Sequence, residues 1–200
     1  RLCQLSEALC AGSAVTPMKI IPHSLDGVIE IVPDKFGDAR GFFCETYNEA
    51  GFDAAGLPMR FVQDNHSYSA AKGVLRGLHY QLEPFAQDKL VRVVQGLVFD
   101  VAIDIRRGSA TFGKWTSVVL SREKWNQFLV PKGFAHGFVT LEDHTEVIYK
   151  VSNPYSPAHD RAIRYDDPDI GIVWPEGLGP FQLSEKDRLA KSFVDADYFD

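Results

Sequence analysis

Residues 89–105 read KLVRVVQGLVFDVAIDI. Val91 and Val93 stand before a Gln95-Gly96 pair, and Val98, Val101, Ile103 and Ile105 follow it. β-Branched residues alternating on both sides of a Gly-containing turn predict two antiparallel strands. The same signature recurs at 111–121 (TFGKWTSVVLS), 126–131 (NQFLVP), 133–142 (GFAHGFVTLE) and 144–152 (HTEVIYKVS). Upstream, 28–47 reads as strand, Gly-containing loop and strand, and 59–69 (MRFVQDNHSYS) as a strand of alternating polarity. Strands recurring roughly every ten residues predict a mainly β sandwich or barrel. Helix is expected only at 48–56, 122–125 and 184–191, and the Pro-, Asp- and Gly-rich chain from Pro154 onward reads as an ordered, irregular wrap.

The chain has 200 residues, 45% hydrophobic and 24% charged, which suits one soluble domain with a sizeable core. A net charge of −6 argues against a nucleic-acid binder, though not against a local basic pocket for a small anion. No apolar run is long enough to predict a membrane span. Cys3, Cys10 and Cys44 do not make a disulfide framework, so a reducing, cytoplasmic setting is expected. Residues 1–17 lack a secretory pattern and read as an N-terminal extension, with Leu2, Leu5 and Leu9 near helical spacing; the domain itself is expected over 18–200.

A second stretch, GVLRGLHYQ (73–81), sets an imidazole close to a fixed cation. His79 could be a metal ligand, a base or a buried structural residue. The layout resembles a cupin, a jelly-roll class whose metal sites use a first block G-x5-H-x-H-x3-4-E-x6-G and a second block P-x-G-x-x-H. Gly73 and His79 fit the first block and Pro131, Gly133 and His136 the second. Gln81 stands where the second His belongs, and Lys89, six residues before Gly96, where the acid belongs. An ammonium in place of a carboxylate repels a cation, so no metal is expected. A cationic pocket with Arg76, His79, Lys89 and His136 inward suits an anionic substrate or a developing oxyanion. A base next to such a lysine could take a proton from carbon beside a carbonyl, with Tyr149 as the acid on the other face. In an ideal strand Arg76 shares a face with Leu78 and Tyr80, and His79 with Gly77 and Gln81. For Arg76 and His79 to serve one site, Gly77 must mark a bend or bulge.

Taken in order, FVQDNHSYS, GVLRGLHYQ, DKLVRVVQG, VPKGFAHGF, EVIYKVSNPYSP and YDDPDIGIVWP resemble the dTDP-4-dehydrorhamnose 3,5-epimerase family from about Met18 to at least Asp187. The resemblance implies a cupin-like jelly roll working as a homodimer without cofactor, on a dTDP-linked 4-keto-6-deoxy sugar inverted at C3 and C5. It implies His79 as the base, Tyr149 as the acid, Lys89 at the enolate oxygen and Asp187, in LSEKD, as partner of the base. It further implies substrate contacts from Arg76, His136 and the Gln63-Asp64-Asn65 run, a thymine stack on Tyr155, and nucleotide contacts from Arg40 and Glu45 that can come from a partner subunit. A relative that inverts one carbon, a ketoisomerase, a non-catalytic sugar-binding jelly roll and a metal-dependent oxygenase are the competing readings. Retention of His79 and Tyr149 speaks against the binding module, and Gln81 and Lys89 against the oxygenase.

Overall fold

The structure, a computed structural model, describes residues 18–200. The expected extension over 1–17 lies outside the described residues. The elements in chain order are β1 (Met18–Pro22), β2 (Ile29–Pro33), β3 (Lys35–Asp38), β4 (Gly41–Cys44), α1 (Glu49–Ala54), β5 (Gln63–Ser69), β6 (Leu75–Gln81), β7 (Lys89–Gln95), β8 (Leu97–Asp104), β9 (Trp115–Ser121), β10 (Gln127–Val130), β11 (Phe134–Thr140), β12 (Thr145–Val151), β13 (Asp160–Ala162) and α2 (Glu185–Arg188). Chain contacts divide the described residues into two compact units, Met18–Lys19 with Pro33–Met59, and Ile20–Val32 with Arg60–Asp200.

In the smaller unit β3 and β4 form a hairpin with Phe36 opposite Phe43 and Gly37 opposite Phe42. Arg40 sits in its turn, 90% exposed, and holds Asp38 through Nε and Nη2. The Asn48 side chain caps α1 by accepting the Gly51 N–H at 3.1 Å, which satisfies one of the amides a helix start leaves free.

The larger unit is a mainly β, two-sheet sandwich, as the strand spacing predicts, with the jelly-roll form that the family resemblance implies. One sheet runs β1-β2-β10-β7-β12-β5 and the other β13-β6-β11-β8-β9. Val91 and Val93, Val98 and Ala102, Phe128 and Val130, and Phe134 and Phe138 close the space between them. The outer face of the second sheet is buried as well. Leu78, Tyr80, Val101, Ile103 and Ala135 lie under Ile163, Ile170, Phe193 and Ala196 from the C-terminal wrap. This double coverage explains why β8 is apolar on both faces.

The expected helix at 122–125 is a turn instead. Trp125 takes a positive φ of 58°, its N–H reaches Ser121 O, and the Ser121 hydroxyl accepts the Lys124 N–H. A left-handed residue reverses the chain into β10 before a helix can propagate. Among the described residues no helix is long and apolar enough to cross a membrane.

Candidate active site

The bulge expected in GVLRGLHYQ is present. Against β11, His79 pairs with His136 but Arg76 with Phe138, so three steps of β6 oppose two of β11. Gly77 takes a φ of 132°, and a Cβ there would lie 2.5 Å from Gly137 Cα. Glycine is therefore required at this crossing of backbones. The extra residue changes the face count: Leu75 and Leu78 both pack outward under the wrap, while Arg76 and His79 both line one cavity.

That cavity, of about 280 Å³, lies between the sheets. The second sheet supplies Arg76, His79, His136 and Phe138, and the first supplies Lys89, Tyr149 and Ser67. His79 and Tyr149 thus project from opposing sheets. Tyr155, Asp160 and Lys186 come from the loop after β12, from β13 and from α2.

His79 is held in a fixed orientation by a buried carboxylate. Its Nε2 contacts Asp187 Oδ1 at 2.5 Å, and Asp187 itself is 3% exposed. An ionised carboxylate only accepts, so the hydrogen sits on Nε2 and Nδ1 keeps its lone pair. Burial pushes the His79 pKa below its ordinary value, with the Asp187 hydrogen bond opposing, so the ring is neutral at pH 7. Burial alone would raise the Asp187 carboxyl, but hydrogen bonds from His79 and Ser184 hold it below the usual range. Ser184 Oγ donates to Asp187 Oδ2 at 2.6 Å and caps α2 by accepting the Asp187 N–H.

Lys89, 7% exposed, donates from Nζ to His79 O at 3.0 Å. Burial lowers its pKa to about 8, against the pull of Asp160 and Asp100, leaving it mostly an ammonium at neutral pH. Burial raises the Tyr149 phenol, with Arg76 opposing, so it remains protonated through the neutral range. His136 holds Asp100 through Nε2 at 2.7 Å. Burial raises the Asp100 carboxyl, and its Oδ2 has no protein partner. Arg76 is braced by Ser69 Oγ and the Tyr68 carbonyl.

Of the residues singled out in the sequence, Arg76, His79, Lys89, His136, Tyr149 and Tyr155 line the cavity, and Asp187 stands behind His79. Gln63 and Asn65 share the inward face of β5 with Ser67, and the Gln63 amide donates to Asn65 Oδ1 while its oxygen accepts the Tyr155 N–H. Asp64 points to the other face of the strand and pairs with Lys150 at 3.2 Å. Arg40 and Glu45 belong to the smaller unit. Sequence reasoning missed Asp100, Asp160 and Lys186. Asp100 had a signal, an acid inside an apolar strand on the face of Val98 and Ala102; Asp160 had none. Among the described residues no group of three or more His, Cys, Asp or Glu gathers as metal ligands.

Comparison with known proteins agrees in family. The family model described as dTDP-4-dehydrorhamnose 3,5-epimerase matches residues 22–195. A relative from Shigella flexneri with that name is 54% identical over 183 residues, covering 91% of this chain and 99% of the relative. The crystal structure of the Legionella pneumophila dTDP-6-deoxy-D-glucose-3,5-epimerase in complex with dTDP-4-keto-L-rhamnose superposes with a TM-score of 0.85 at 48% identity, covering 90% of this chain and 95% of that one. A 3'-monoepimerase from Streptomyces bikiniensis in complex with dTDP-quinovose gives 0.81 at 33% identity, covering 86% and 87%.

Proposed function

This chain belongs to the dTDP-4-dehydrorhamnose 3,5-epimerase family, and on that premise we propose that its cavity inverts C3 and C5 of dTDP-4-dehydro-6-deoxy-D-glucose, giving dTDP-4-dehydro-L-rhamnose. The observation that carries the reading is a carboxylate-oriented imidazole and a protonated phenol on opposing sheets, with a buried ammonium in the same cavity. Both carbons flank the C4 ketone, so both C–H bonds are acidified by one carbonyl. His79 Nδ1 takes the proton, and the electron pair of the broken C–H bond moves into the ketone to give an enolate. The Lys89 ammonium donates to that oxyanion, the kind of preset charge that lowers such barriers most. Tyr149 then delivers a proton to the carbon from the opposite side, which inverts it. The proton left on His79 returns to the phenolate through solvent before the second carbon reacts. Asp187 holds the ring and stabilises the transient imidazolium.

Arg76 and His136 contact the sugar and diphosphate, a role suited to fixed donors beside an anion. Tyr155 offers an aromatic face for thymine, with Gln63, Asp64 and Asn65 on the adjoining strand. Arg40 and Glu45 reach the nucleotide in a cytoplasmic homodimer, from a hairpin whose Phe36, Phe42 and Phe43 are more than half exposed. No cofactor takes part.

The similarity to a 3'-monoepimerase favours one alternative, inversion at a single carbon. NMR of the product formed from dTDP-4-dehydro-6-deoxy-D-glucose decides. Inverted couplings at both H3 and H5 support double inversion; one inverted centre selects the alternative; unchanged substrate removes the enzyme reading.

A further inference from the structure

Gln81 stands where a metal-binding cupin would carry its second histidine. It follows His79 by two residues and borders the same cavity, but at 3% exposure it shows that cavity little surface. Its amide is spent on the protein. Nε2 donates to the backbone carbonyls of Phe85 at 2.7 Å and Pro154 at 3.2 Å, and Oε1 accepts the Ser156 N–H at 2.7 Å. Pro154 and Ser156 are the two neighbours of Tyr155. One side chain thus ties the catalytic strand to both sides of the residue proposed to carry the base, and to the loop leading into β7. The Tyr155 side chain has little packing to hold it: the residue is 58% exposed, and its hydroxyl donates to Asp160 Oδ2 at 3.1 Å. Its place is set through its backbone, by Gln81 on both sides and by Gln63 at its own N–H.

We propose that Gln81 is a positioning residue for the nucleotide: it holds residues 154–156 so that Tyr155 meets the thymine in a preset pose. The proposal rests on the reading that Tyr155 stacks on the base. Among short side chains only an amide supplies two donors and an acceptor on one planar group. A carboxylate keeps the Ser156 contact but turns an acceptor oxygen toward two carbonyl oxygens. A methionine of similar length loses all three bonds. In either case the loop must be ordered by the ligand, and that ordering is subtracted from binding.

The test uses the full chain with Gln81→Glu and Gln81→Met, titrated with dTDP and, separately, with inorganic diphosphate, beside steady-state kinetics. Loss of the hydrogen bonds to the Phe85 and Pro154 carbonyls weakens dTDP binding and raises KM about tenfold. Because the interaction is the same in ground and transition states, kcat stays within about twofold, as does diphosphate affinity. Unchanged dTDP affinity in the variants overturns the proposal. So does an equal loss for dTDP and diphosphate, which marks general damage to the cavity. Gln81→Met adds no charge and answers if Gln81→Glu does not fold. Tyr155→Ala, run in parallel, separates the two claims. If it leaves dTDP affinity intact, the base-stacking reading fails; if it weakens dTDP while the Gln81 variants do not, only the proposal for Gln81 fails.

Discussion

Replacing Asp187 by asparagine exchanges one oxygen for an amide nitrogen and tests the role proposed for His79 as the base. The carboxylate is buried and sits 2.5 Å from Nε2, so its charge acts on the ring with little screening by solvent. A hydrogen bond to a charged group contributes about 1.5–3 kcal/mol. Opposite charges about 4 Å apart attract by about 4 kcal/mol at an effective dielectric near 20. The asparagine oxygen can still accept the Nε2 hydrogen, so the loss falls mainly on the imidazolium formed during proton transfer. A cost of about 2–4 kcal/mol in the transition state corresponds to a roughly 30- to 1000-fold fall in kcat/KM. The pH profile gives an independent sign. The proposed base must be neutral, so activity rises with pH through the His79 pKa, which burial lowers from its ordinary value. Asp187 raises that pKa while Lys186 and Lys89 lower it, so Asp187→Asn moves the acid limb to still lower pH. The assay is the initial rate of product formation by NMR from pH 4 to 9, with a thermal melt to establish folding. A folded variant within about threefold of the parent enzyme, or an acid limb moved upward, refutes the reasoning.

Tyr149→Phe retains some exchange of the substrate proton with solvent but loses about 100-fold or more in inverted product, read by NMR in deuterated water. The wild-type rate falls as pH rises through about 8, where Lys89 loses its proton; Lys89→Met removes that limb and lowers kcat by about 100-fold or more. Gly77→Ala drives a Cβ into the Gly137 backbone at a φ of 132°, costing about 3 kcal/mol. A thermal melt registers that as a fall of roughly 6–12 °C, and an unchanged melt contradicts it. Burial pushes the Asp104 carboxyl up, but donors on Arg106, Ser109 and Thr111 bring it down to about 2. A depressed folded pKa means stability present above the unfolded value and lost as pH falls toward 2. Asp104→Asn therefore costs about 2 kcal/mol at pH 7 and flattens the stability curve between about pH 4 and 2, measured by urea unfolding.

The sandwich was legible because β-branched runs recur between turn signals about every ten residues, and the 89–105 stretch names two of the strands as β7 and β8. The bulge was legible for a chemical reason, since Arg76 and His79 could reach one cavity only if Gly77 broke the alternation. The turn at 122–125 was not, because its positive-φ residue is Trp125, a type that gives no warning of that conformation. Within the site, His79, Lys89 and Tyr149 were found through a damaged metal motif and a family resemblance. Asp100, Asp160 and Lys186 escaped because their approach depends on strand order and on how the C-terminal wrap returns. Strand parity separates Asp64, which pairs with Lys150 on the outer face, from the inward Gln63 and Asn65. The sequence did not show that Arg40 and Glu45 lie in a separate compact unit, because that depends on how the β3–β4 hairpin folds.

Solvent exchange tests the central claim most directly. After dialysis against a chelator, the protein is incubated with dTDP-4-dehydro-6-deoxy-D-glucose in deuterated water and the sugar is followed by NMR. A two-sided proton relay puts deuterium at both C3 and C5, each with inversion, at the rate seen before dialysis. Inversion that keeps the original protons, or exchange that returns only when a divalent metal is added, contradicts it.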